Sequence, residues 1–396
     1  MSILSRERFL GICRFERTGD LCLLAPVFNV FWEHTVEEWV KQGAPEQIAS
    51  GVFRGGQSQW DYFQFDTLRE LHEIIATLNP VYIDIGGGVI YRYNSPLVMP
   101  NYEPEFITRD EETVTLIDGG GRTVRVWNDN RQRMPMFLDH PVKDRASWKE
   151  YKKRLDPHTP ERWPSDWNSY VEEINSTNDP KVLAVGGFFG LLREWMGTEK
   201  ILYTFYDDPS LIEDMMDQIC YLETEIIKRV LKDIRIDCVH FWEDMAYKTG
   251  PLISPDMMRK FMMPRYKKIT DILHGSGVDV ISVDSDGNVN ELIPLWLECG
   301  INFHWPLEVT AGNDAVALRK KYGKDIILGG NIDKRALIKG KDAIREEVMS
   351  KVPFLLESGG YFPSLDHSVP PDITLENYRY FINTVREVAG LEKLSE

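Results

Sequence analysis

The chain has 396 residues, a formal net charge of −16 at pH 7 and a hydrophobic fraction of 43%. This length fits one large α/β domain with additions. The acidic balance disfavours nucleic acid and anionic membranes as partners, because phosphate binding needs clustered lysine and arginine. It remains compatible with a small-molecule substrate, including an anionic one held by local basic groups.

The cysteines and the amino-terminal residues indicate the cellular compartment of the protein. There are five cysteines, and none lies in a Cys-x-x-Cys pair. Such usage is typical of a reducing cytoplasm. Residues 1–20 are charged throughout and lack the apolar core of a signal peptide. The apolar run at 182–192 is too short to cross a bilayer. We therefore expect a cytoplasmic protein without a membrane span.

Apolar, strand-like runs alternate with helical stretches along most of the chain. A charged helix is predicted from Ser5 to Phe15, and the longest helix begins at Asp208 with Pro209 in its first turn. The alternation predicts a (β/α)8 TIM barrel with an N-terminal extension, and an open doubly wound sheet is the alternative. The predicted barrel strands are 21–28, 79–85, 181–186, 237–242, 279–284, 300–305, 325–329 and 360–365.

One segment interrupts this alternation. Gly119-Gly120-Gly121 separates the strand-like runs 114–118 and 122–127, which predicts a β-hairpin insertion. Residues 128–178 are rich in proline, tryptophan and charge and resemble a covering segment. We therefore predict a single domain over 1–396, with 100–178 as a peripheral hairpin and covering segment within it.

The carboxyl ends of the predicted strands carry most of the reactive side chains, and in a barrel these ends form the functional face. Residues two apart on a strand point the same way, so Asp284 and Asp286 can face one ligand. Such groups can bind zinc or act as a general acid and base. No Gly-x-Ser-x-Gly elbow supports a serine nucleophile. The strand-end groups are Glu243, Asp244, Asp284, Asp286, His304, Glu308, Asn331 and His367.

Three segments, 242–255, 329–335 and 366–372, read WEDMAYKTGPLISP, GGNIDKR and DHSVPPD. In this order they resemble the uroporphyrinogen decarboxylase superfamily, over about 180–390. The resemblance implies a TIM barrel and a homodimer. It also implies one of two chemistries. One is decarboxylation of a tetrapyrrole without a cofactor. The other is zinc-dependent methyl transfer between cobalamin and an acceptor.

The motif positions depart from both branches. Methyltransferases that resemble this chain carry His-x-Cys where Asp284-Ser285-Asp286 stands, and a cysteine in place of His367. Decarboxylases carry His-Ser-Asp-Gly and a histidine there, so His367 fits their pattern and Asp284 fits neither. The arginine-rich motif of the decarboxylases is replaced by the aromatic segment 25–32. A tetrapyrrole with many carboxylates would meet acids without a guanidinium clamp, which costs several kcal/mol in order of magnitude.

The residues and the resemblance together predict a corrinoid-dependent methyltransferase. It would move a methyl group from a small methylated substrate, such as an aryl methyl ether, to cobalamin on a partner corrinoid protein. Zinc would be held by Asp284, Asp286 and His367, with Glu243 as a further ligand. The predicted catalytic residues are Glu243, Asp244, Asp284, Asp286 and His367, and the predicted substrate contacts are Trp32, Phe188, Trp242, His304 and Asn331.

Three other functions fit the same residues. A decarboxylase or lyase would use Asp286 and His367 as acid–base groups. A glycosidase-like barrel would use Glu243 and Asp284 as paired carboxylates. A non-catalytic binding protein in a corrinoid system would need none of these groups for chemistry.

Overall fold

A computed structural model describes residues 6–25, 31–50, 57–71, 81–86, 89–93, 97–128 and 134–394. Within these ranges no helix is long and apolar enough to cross a membrane. All five cysteines are buried free thiols.

The strands of the described residues fall into one large parallel sheet and several small sheets. In chain order they are β1 (Leu24–Ala25), β2 (Asp66–Thr67), β3 (Arg69–Glu70), β4 (Val81–Gly86), β5 (Val89–Tyr93), β6 (Glu105–Arg109), β7 (Thr113–Ile117), β8 (Thr123–Trp127), β9 (Met136–Asp139), β10 (Lys181–Val185), β11 (Cys238–Trp242), β12 (Ala246–Tyr247), β13 (Gly250–Pro251), β14 (Val280–Asp284), β15 (Phe303–Trp305), β16 (Ile327–Gly329) and β17 (Tyr361–Phe362).

The large sheet has the strand order of a TIM barrel. Seven parallel strands pair in the order β3-β10-β11-β14-β15-β16-β17, and β1 pairs in parallel with β2, which directly precedes β3. The first and last units pack together, since Thr35 Oγ1 donates to the Val369 carbonyl at 2.7 Å and Trp39 Nε1 to that of Ile373 at 2.8 Å. The predicted fold class is confirmed.

The second barrel strand is not where the sequence pattern placed it. The run at 79–85 becomes β4, which pairs antiparallel with β5 in a separate two-stranded sheet. Its place in the large sheet is taken by residues 66–70, which lack an apolar run. Asp66 is buried there because its carboxylate accepts from the Leu23 amide at 3.2 Å and lies 3.3 Å from Arg8. Hydrophobic periodicity does not detect a strand whose buried side chains are polar and paired.

Helices follow most strands, and several begin at a side-chain cap. Asp208 caps the longest helix by accepting from the Leu211 amide. A π-helical turn over Met258–Met262 precedes Pro264, which lacks the N–H of a regular turn. The helices are α1 (Arg6–Cys13), α2 (Glu33–Lys41), α3 (Gln57–Phe63), α4 (Arg145–Tyr151), α5 (Trp167–Ser176), α6 (Phe188–Met196), α7 (Thr198–Asp207), α8 (Pro209–Asp233), α9 (Pro255–Met257), α10 (Met263–Gly275), α11 (Ile293–Glu298), α12 (Ala315–Tyr322), α13 (Lys334–Lys339), α14 (Lys341–Ser358) and α15 (Leu375–Val388).

The predicted hairpin forms β7 and β8, which pair antiparallel from Thr113↔Trp127 to Ile117↔Thr123. It is the centre of a four-stranded sheet flanked by β6 and β9. This sheet meets α6, because His140 Nδ1 lies 2.9 Å from the Glu194 carbonyl and the Val142 amide donates to that of Trp195 at 2.9 Å.

The hydrophobic core has two main layers. The larger lies between the large sheet and the helices, and the smaller fills the inside of the barrel. Helix α1 closes the amino-terminal end of the barrel: Phe9 packs against Phe362 at 5.7 Å between ring centroids. Arg6 pairs with Asp237, which directly precedes β11.

The cap at Asp208 provides a test of the longest helix. We expect Asp208→Ala to lower the free energy of unfolding by about 1 kcal/mol, since the amide of Leu211 loses its acceptor. The same change at the adjacent Asp207, which is exposed and outside the cap, should have a smaller effect. Urea denaturation of the two variants measures the difference, and equal losses would contradict the capping role.

Candidate functional site

Three ligand-type side chains meet above the carboxyl ends of the large sheet. Asp286 follows β14, Glu308 follows β15 and His367 follows β17. One ligand atom from each lies within 4.8 Å of the other two, and all three side chains are half-buried. His367 Nε2 is 3.3 Å from Asp286 Oδ2. The predicted convergence of the ends of β14 and β17 is therefore present, with Glu308 as the third member.

The loop after β14 is held closely against its neighbours. The Gly287 amide donates to Glu308 Oε2 at 2.9 Å, which ties the loop that carries Asp286 to Glu308. Gly287 has φ +82°, and a Cβ there would lie 2.5 Å from the Ala246 carbonyl oxygen. Only glycine fits this backbone without displacing a neighbour.

Electrostatics around the cluster favour a positively charged ligand. The cluster contains two carboxylates, Asp286 and Glu308, and the nearby Lys334 has its Nζ 3.8 Å from Glu308 Oε1. The pKa of His367 is raised, first by its hydrogen bond to Asp286 and also by the negative charge of Glu308, against burial and Lys334. As the pH falls, His367 becomes an imidazolium, and its positive charge then lies beside the two carboxylates as the charge of a bound cation would.

A buried carboxylate supports the loops that carry these groups. Asp366 is fully buried and accepts from the Val309 amide at 3.0 Å and the Lys334 amide at 3.1 Å. Burial raises its pKa, while the Lys334 and Val309 contacts lower it. Because Val309 follows Glu308, this bond fixes the position of Glu308 relative to His367.

Strand alternation decides which predicted residues face the barrel axis. Cys238, His240 and Ser282 line a small cavity inside the barrel. Residues at even spacing from them share that face, so Trp242 and Asp284 also point inward. Glu243 and His304 have the opposite phase and point to the helix layer.

Glu243 is accordingly a structural carboxylate. It is fully buried and accepts from the amides of Phe188 at 2.7 Å, Phe189 at 2.8 Å and Gly190 at 3.1 Å, and from the Tyr266 hydroxyl. These bonds cap the start of α6, where a carboxylate also meets the positive end of the helix dipole. The predicted role of Glu243 as a catalytic group or zinc ligand is therefore not supported by its contacts, nor is its pairing with Asp284 in a glycosidase.

A second buried acid lies beside this cap. Glu223 is 1% exposed, its carboxyl lies against Gly186, and it has no hydrogen-bond partner of good geometry among the described residues. Burial and the neighbouring Glu243 raise the pKa of Glu223 well above its ordinary value. Burial raises the pKa of Glu243 to about 7, against the lowering effect of its four donors. Of the two acids, Glu223 is the one whose carboxyl lacks hydrogen-bond donors among the described residues.

Three residues predicted as substrate contacts are buried in contacts with other parts of the chain. His304 is 1% exposed, packs against Trp296 at 5.7 Å between centroids, and burial lowers its pKa to about 3. Phe188 is fully buried against Tyr266. Asn331 is fully buried, and its amide accepts from Ala315 N at 3.0 Å and donates to the carbonyls of Leu307 and Asn313. Strand phase or internal hydrogen bonding turns each of them away from the pocket.

The other predicted residues lie near the mouth of the barrel. Trp32 is half-buried and directly precedes α2. Trp242 is half-buried, and the guanidinium carbon of Arg193 lies 5.2 Å from the centre of its ring. Asp244 has φ +42° and pairs with Arg193 at 2.5 Å, so its carboxylate is neutralised beside the pocket.

Glu308 and Lys334 are the site residues that the sequence argument did not assign a role. Glu308 was one of the strand-end groups named from the sequence, but His304 was chosen as the predicted substrate contact from that strand. The alternation of β15 was the available signal, because it turns His304 outward and leaves the following loop to face the site. Lys334 lies within the GGNIDKR segment, and nothing in its local pattern indicates a partner 26 residues earlier in the chain.

Zinc fits the Asp286, Glu308 and His367 donors in chemical type. Imidazole nitrogen and carboxylate oxygen are ordinary zinc ligands, and three protein ligands leave a position open for a substrate. The set contains no thiolate, so it is a hard ligand set.

The sequence is similar to a known protein family and to curated members of it. The family model for uroporphyrinogen decarboxylase (URO-D) matches residues 140–388. The chain belongs to this family. The uroporphyrinogen decarboxylase of Legionella pneumophila (strain Paris) is 26% identical over 140 residues, which are 35% of this chain and 39% of the relative. That of Shewanella piezotolerans is 25% identical over 207 residues, 48% of this chain and 52% of the relative. The chain thus matches about half, or less, of the length of these curated relatives.

A solved structure is similar in fold to this chain over 97% of its length. The methyltransferase from Methanosarcina mazei aligns with a TM-score of 0.55 over 97% of this chain and 99% of its own, at 14% identity. At that identity the likeness shows a common fold.

The cap at Glu243 can be tested by its effect on stability. We expect Glu243→Ala to lower the free energy of unfolding by about 3 kcal/mol or more, because four buried donors lose their acceptor. Glu298→Ala, at an exposed position, should cost about 0.5 kcal/mol or less. Guanidinium denaturation measures both, and a Glu243→Ala variant as stable as the control would contradict the structural role.

The pair of His367 and Asp286 predicts a pH dependence in protein freed of metal by a chelator. The pKa of His367 is raised in the folded protein. The pair therefore stabilises the fold fully below the pKa of an unfolded histidine, about 6.5, and this stabilisation is lost as the pH rises through the folded pKa of His367. Asp286→Asn should lower the pKa of His367, whereas Asp279→Asn should not change it. NMR titration of the histidine ring protons checks this, and an unchanged titration in Asp286→Asn would refute the pairing.

Proposed function

We propose that this URO-D family member is a metal-assisted methyltransferase of the corrinoid-dependent type. It would move a methyl group from a small methylated substrate to cobalamin on a partner corrinoid protein. The observation that carries the proposal is the cluster of Asp286, Glu308 and His367, whose ligand atoms lie within 4.8 Å of one another at the functional face of the barrel. The likeness in fold to a methyltransferase over nearly the full chain supports it.

The charge of the site also supports methyl transfer over classical decarboxylation. Asp284, Asp286 and Glu308 surround the pocket, whereas the nearby Lys334 and Arg193 are close to carboxylates. A tetrapyrrole carrying many carboxylates would be repelled here, whereas a divalent cation would be attracted. This balance favours a small substrate with few or no negative charges.

Different residues of the chain would have different roles in methyl transfer. Asp286, Glu308 and His367 would hold zinc, and bound zinc would supply a Lewis acid for the leaving oxygen or nitrogen. Asp366 would keep Glu308 and Lys334 in register with His367 through its two backbone bonds. Trp242 and Trp305 would shape the walls and exclude water. An aryl methyl ether is one substrate class that fits this description.

A decarboxylase or lyase acting on a smaller acid is the second candidate. The 3.3 Å contact between His367 and Asp286 favours it, because such a pair can exchange a proton with a substrate without any metal. This candidate predicts release of carbon dioxide from a small carboxylic acid in the presence of a chelator.

Metal analysis and a methylation assay test the proposal together. We expect purified protein to bind about one zinc per chain. Asp286→Ala and His367→Ala should each weaken zinc binding by about 10-fold or more. Asp325→Ala is the control, since Asp325 is exposed and lies two residues before β16, at the other end of the barrel.

The activity assay measures the methylation of reduced cobalamin by methylated donors. The absorption spectrum of the cobalamin reports the reaction. We expect methyl transfer that depends on zinc and is lost in Asp286→Ala and His367→Ala but kept in Asp325→Ala. A protein that binds no zinc and methylates no cobalamin with any donor class would refute the proposal. Release of carbon dioxide under a chelator would favour the second candidate instead.

A further inference from the structure

The four-stranded sheet outside the barrel ends in an edge strand whose residues are all exposed. Strand β6 pairs on one side with β7, and none of the other described strands pairs with its outer edge. All five of its residues are exposed. Two of them are apolar, Phe106 at 54% and Ile107 at 48% exposure. An edge strand presents unpaired amide and carbonyl groups, so exposed apolar side chains there mark a surface that another strand can cover.

The inner side of β6 contains a bulge. The register with β7 shifts between Phe106 and Thr108, so Ile107 has no partner residue in β7. Bulges and charged side chains are both devices that discourage pairing at an edge. In β6, however, the charges stand only at the two ends of the strand, at Glu105 and Arg109. The centre of the edge therefore carries no charge that would oppose pairing.

The sequence of β6, Glu-Phe-Ile-Thr-Arg, is complementary to itself. Two copies of the strand can pair antiparallel about a two-fold axis at Ile107. Glu105 then lies opposite Arg109 of the partner subunit. Phe106 lies opposite the partner subunit's Thr108. Opposite charges at facing positions of an antiparallel pair are favourable, and the symmetry forms the same charge pair twice. The pattern thus favours a second copy of this chain as the molecule that covers the edge.

The two charged side chains are available for this contact. Glu105 is exposed and has no hydrogen-bond or ion-pair partner among the described residues. Arg109 donates through Nη2 to the Ile85 carbonyl and, at 3.4 Å, to Asn128 Oδ1. Its Nε and Nη1 have no acceptor in the part of the chain that the structure describes. They can therefore bind a carboxylate while the two existing bonds hold the guanidinium in place.

The opposite edge of the sheet, β9, suits a second copy less well. It is exposed and apolar over 136–138, but Phe137 lies 4.8 Å from the guanidinium carbon of Arg122, and Asp139 pairs with Lys143. Strand β9 also ends in an acid and contains no base, so two antiparallel copies of it gain no pair of opposite charges. A contact between β6 and the β9 strand of another copy would be heterologous and would give a ring or a filament.

We propose that the chain forms a symmetric dimer in which the two β6 strands pair antiparallel about Ile107. The two four-stranded sheets then become one sheet of eight strands. Five residues a side is fewer than a stable interface usually has, so the dimer dissociates on dilution. The inference does not depend on the proposed function, because β6 contributes none of the residues of the candidate site.

A thiol at the axis tests the geometry. Ile107→Cys places two introduced thiols at facing positions, where a disulfide can form with little backbone movement. The five native cysteines are buried, so they give little background. Full-length protein is oxidised, and the covalent dimer is measured on a non-reducing gel. We expect at least about 5-fold more dimer than from the control Glu111→Cys, which lies outside β6, because the axis raises the effective concentration of the thiols. Equal cross-linking of the two variants would overturn the inference.

Charge reversal tests the register, with the dissociation constant of the dimer measured by analytical ultracentrifugation. Glu105→Arg turns both charge pairs into like-charge pairs and should raise the dissociation constant at least about 10-fold, as should Arg109→Glu. The two changes combined restore opposite charges and should return the constant to within about 3-fold of its original value. Glu111→Arg, an equal change of charge at an exposed residue outside the strand, should alter it less than about 3-fold. Circular dichroism confirms that each variant is folded.

Three results would overturn the inference. The first is a protein that stays monomeric over a concentration range of about 100-fold around the micromolar level expected for a small interface. The second is a dimer whose dissociation constant does not change in either single charge reversal, since it would use another surface. The third is a ring or filament, which would point to a heterologous contact. None of these results affects the proposed function, because methylation of cobalamin is measured separately.

Discussion

The capping of α6 by Glu243 is the contact on which the geometry of the pocket depends. One carboxylate joins the end of β11, the first turn of α6 and Tyr266 of α10. It allows the adjacent residues Trp242 and Asp244 to be placed precisely, because both flank a side chain that cannot move. Close packing at Gly187, where a Cβ would lie 2.4 Å from the Glu243 carboxyl carbon, leaves the cap no other position. The cost of burying this acid is offset by its four hydrogen-bond donors.

The architecture was predictable where apolar runs mark buried strands. The strands from 181 onwards and the helix starting at Pro209 lie within a few residues of their predicted bounds. The strand at 66–70 was missed because its buried polar residue is stabilised by partners from distant parts of the chain. Val81–Gly86 was assigned to the barrel because a strand pattern does not state which sheet the strand joins.

The site was predictable in its location and only partly in its members. Asp286 and His367 meet as expected, since parallel strands deliver their ends to one face. Glu243, His304 and Phe188 were assigned to the pocket because position at a strand end was considered without strand phase. Asn331 illustrates another limit of the sequence pattern. Its buried amide bonds to the backbone of three neighbours, and the sequence of such a residue looks the same as that of a residue that binds a ligand.

Helix α1 gives the barrel a closed lower end, with Phe9 set against the inner layer of Val182, Cys238 and Phe303. Any molecule that reaches Asp284 must then enter and leave by the upper mouth. A large partner that docks at the same mouth would cover this route. Under the proposed function, the small molecule would therefore enter first, the partner would arrive second, and the demethylated product would leave only after the partner departs.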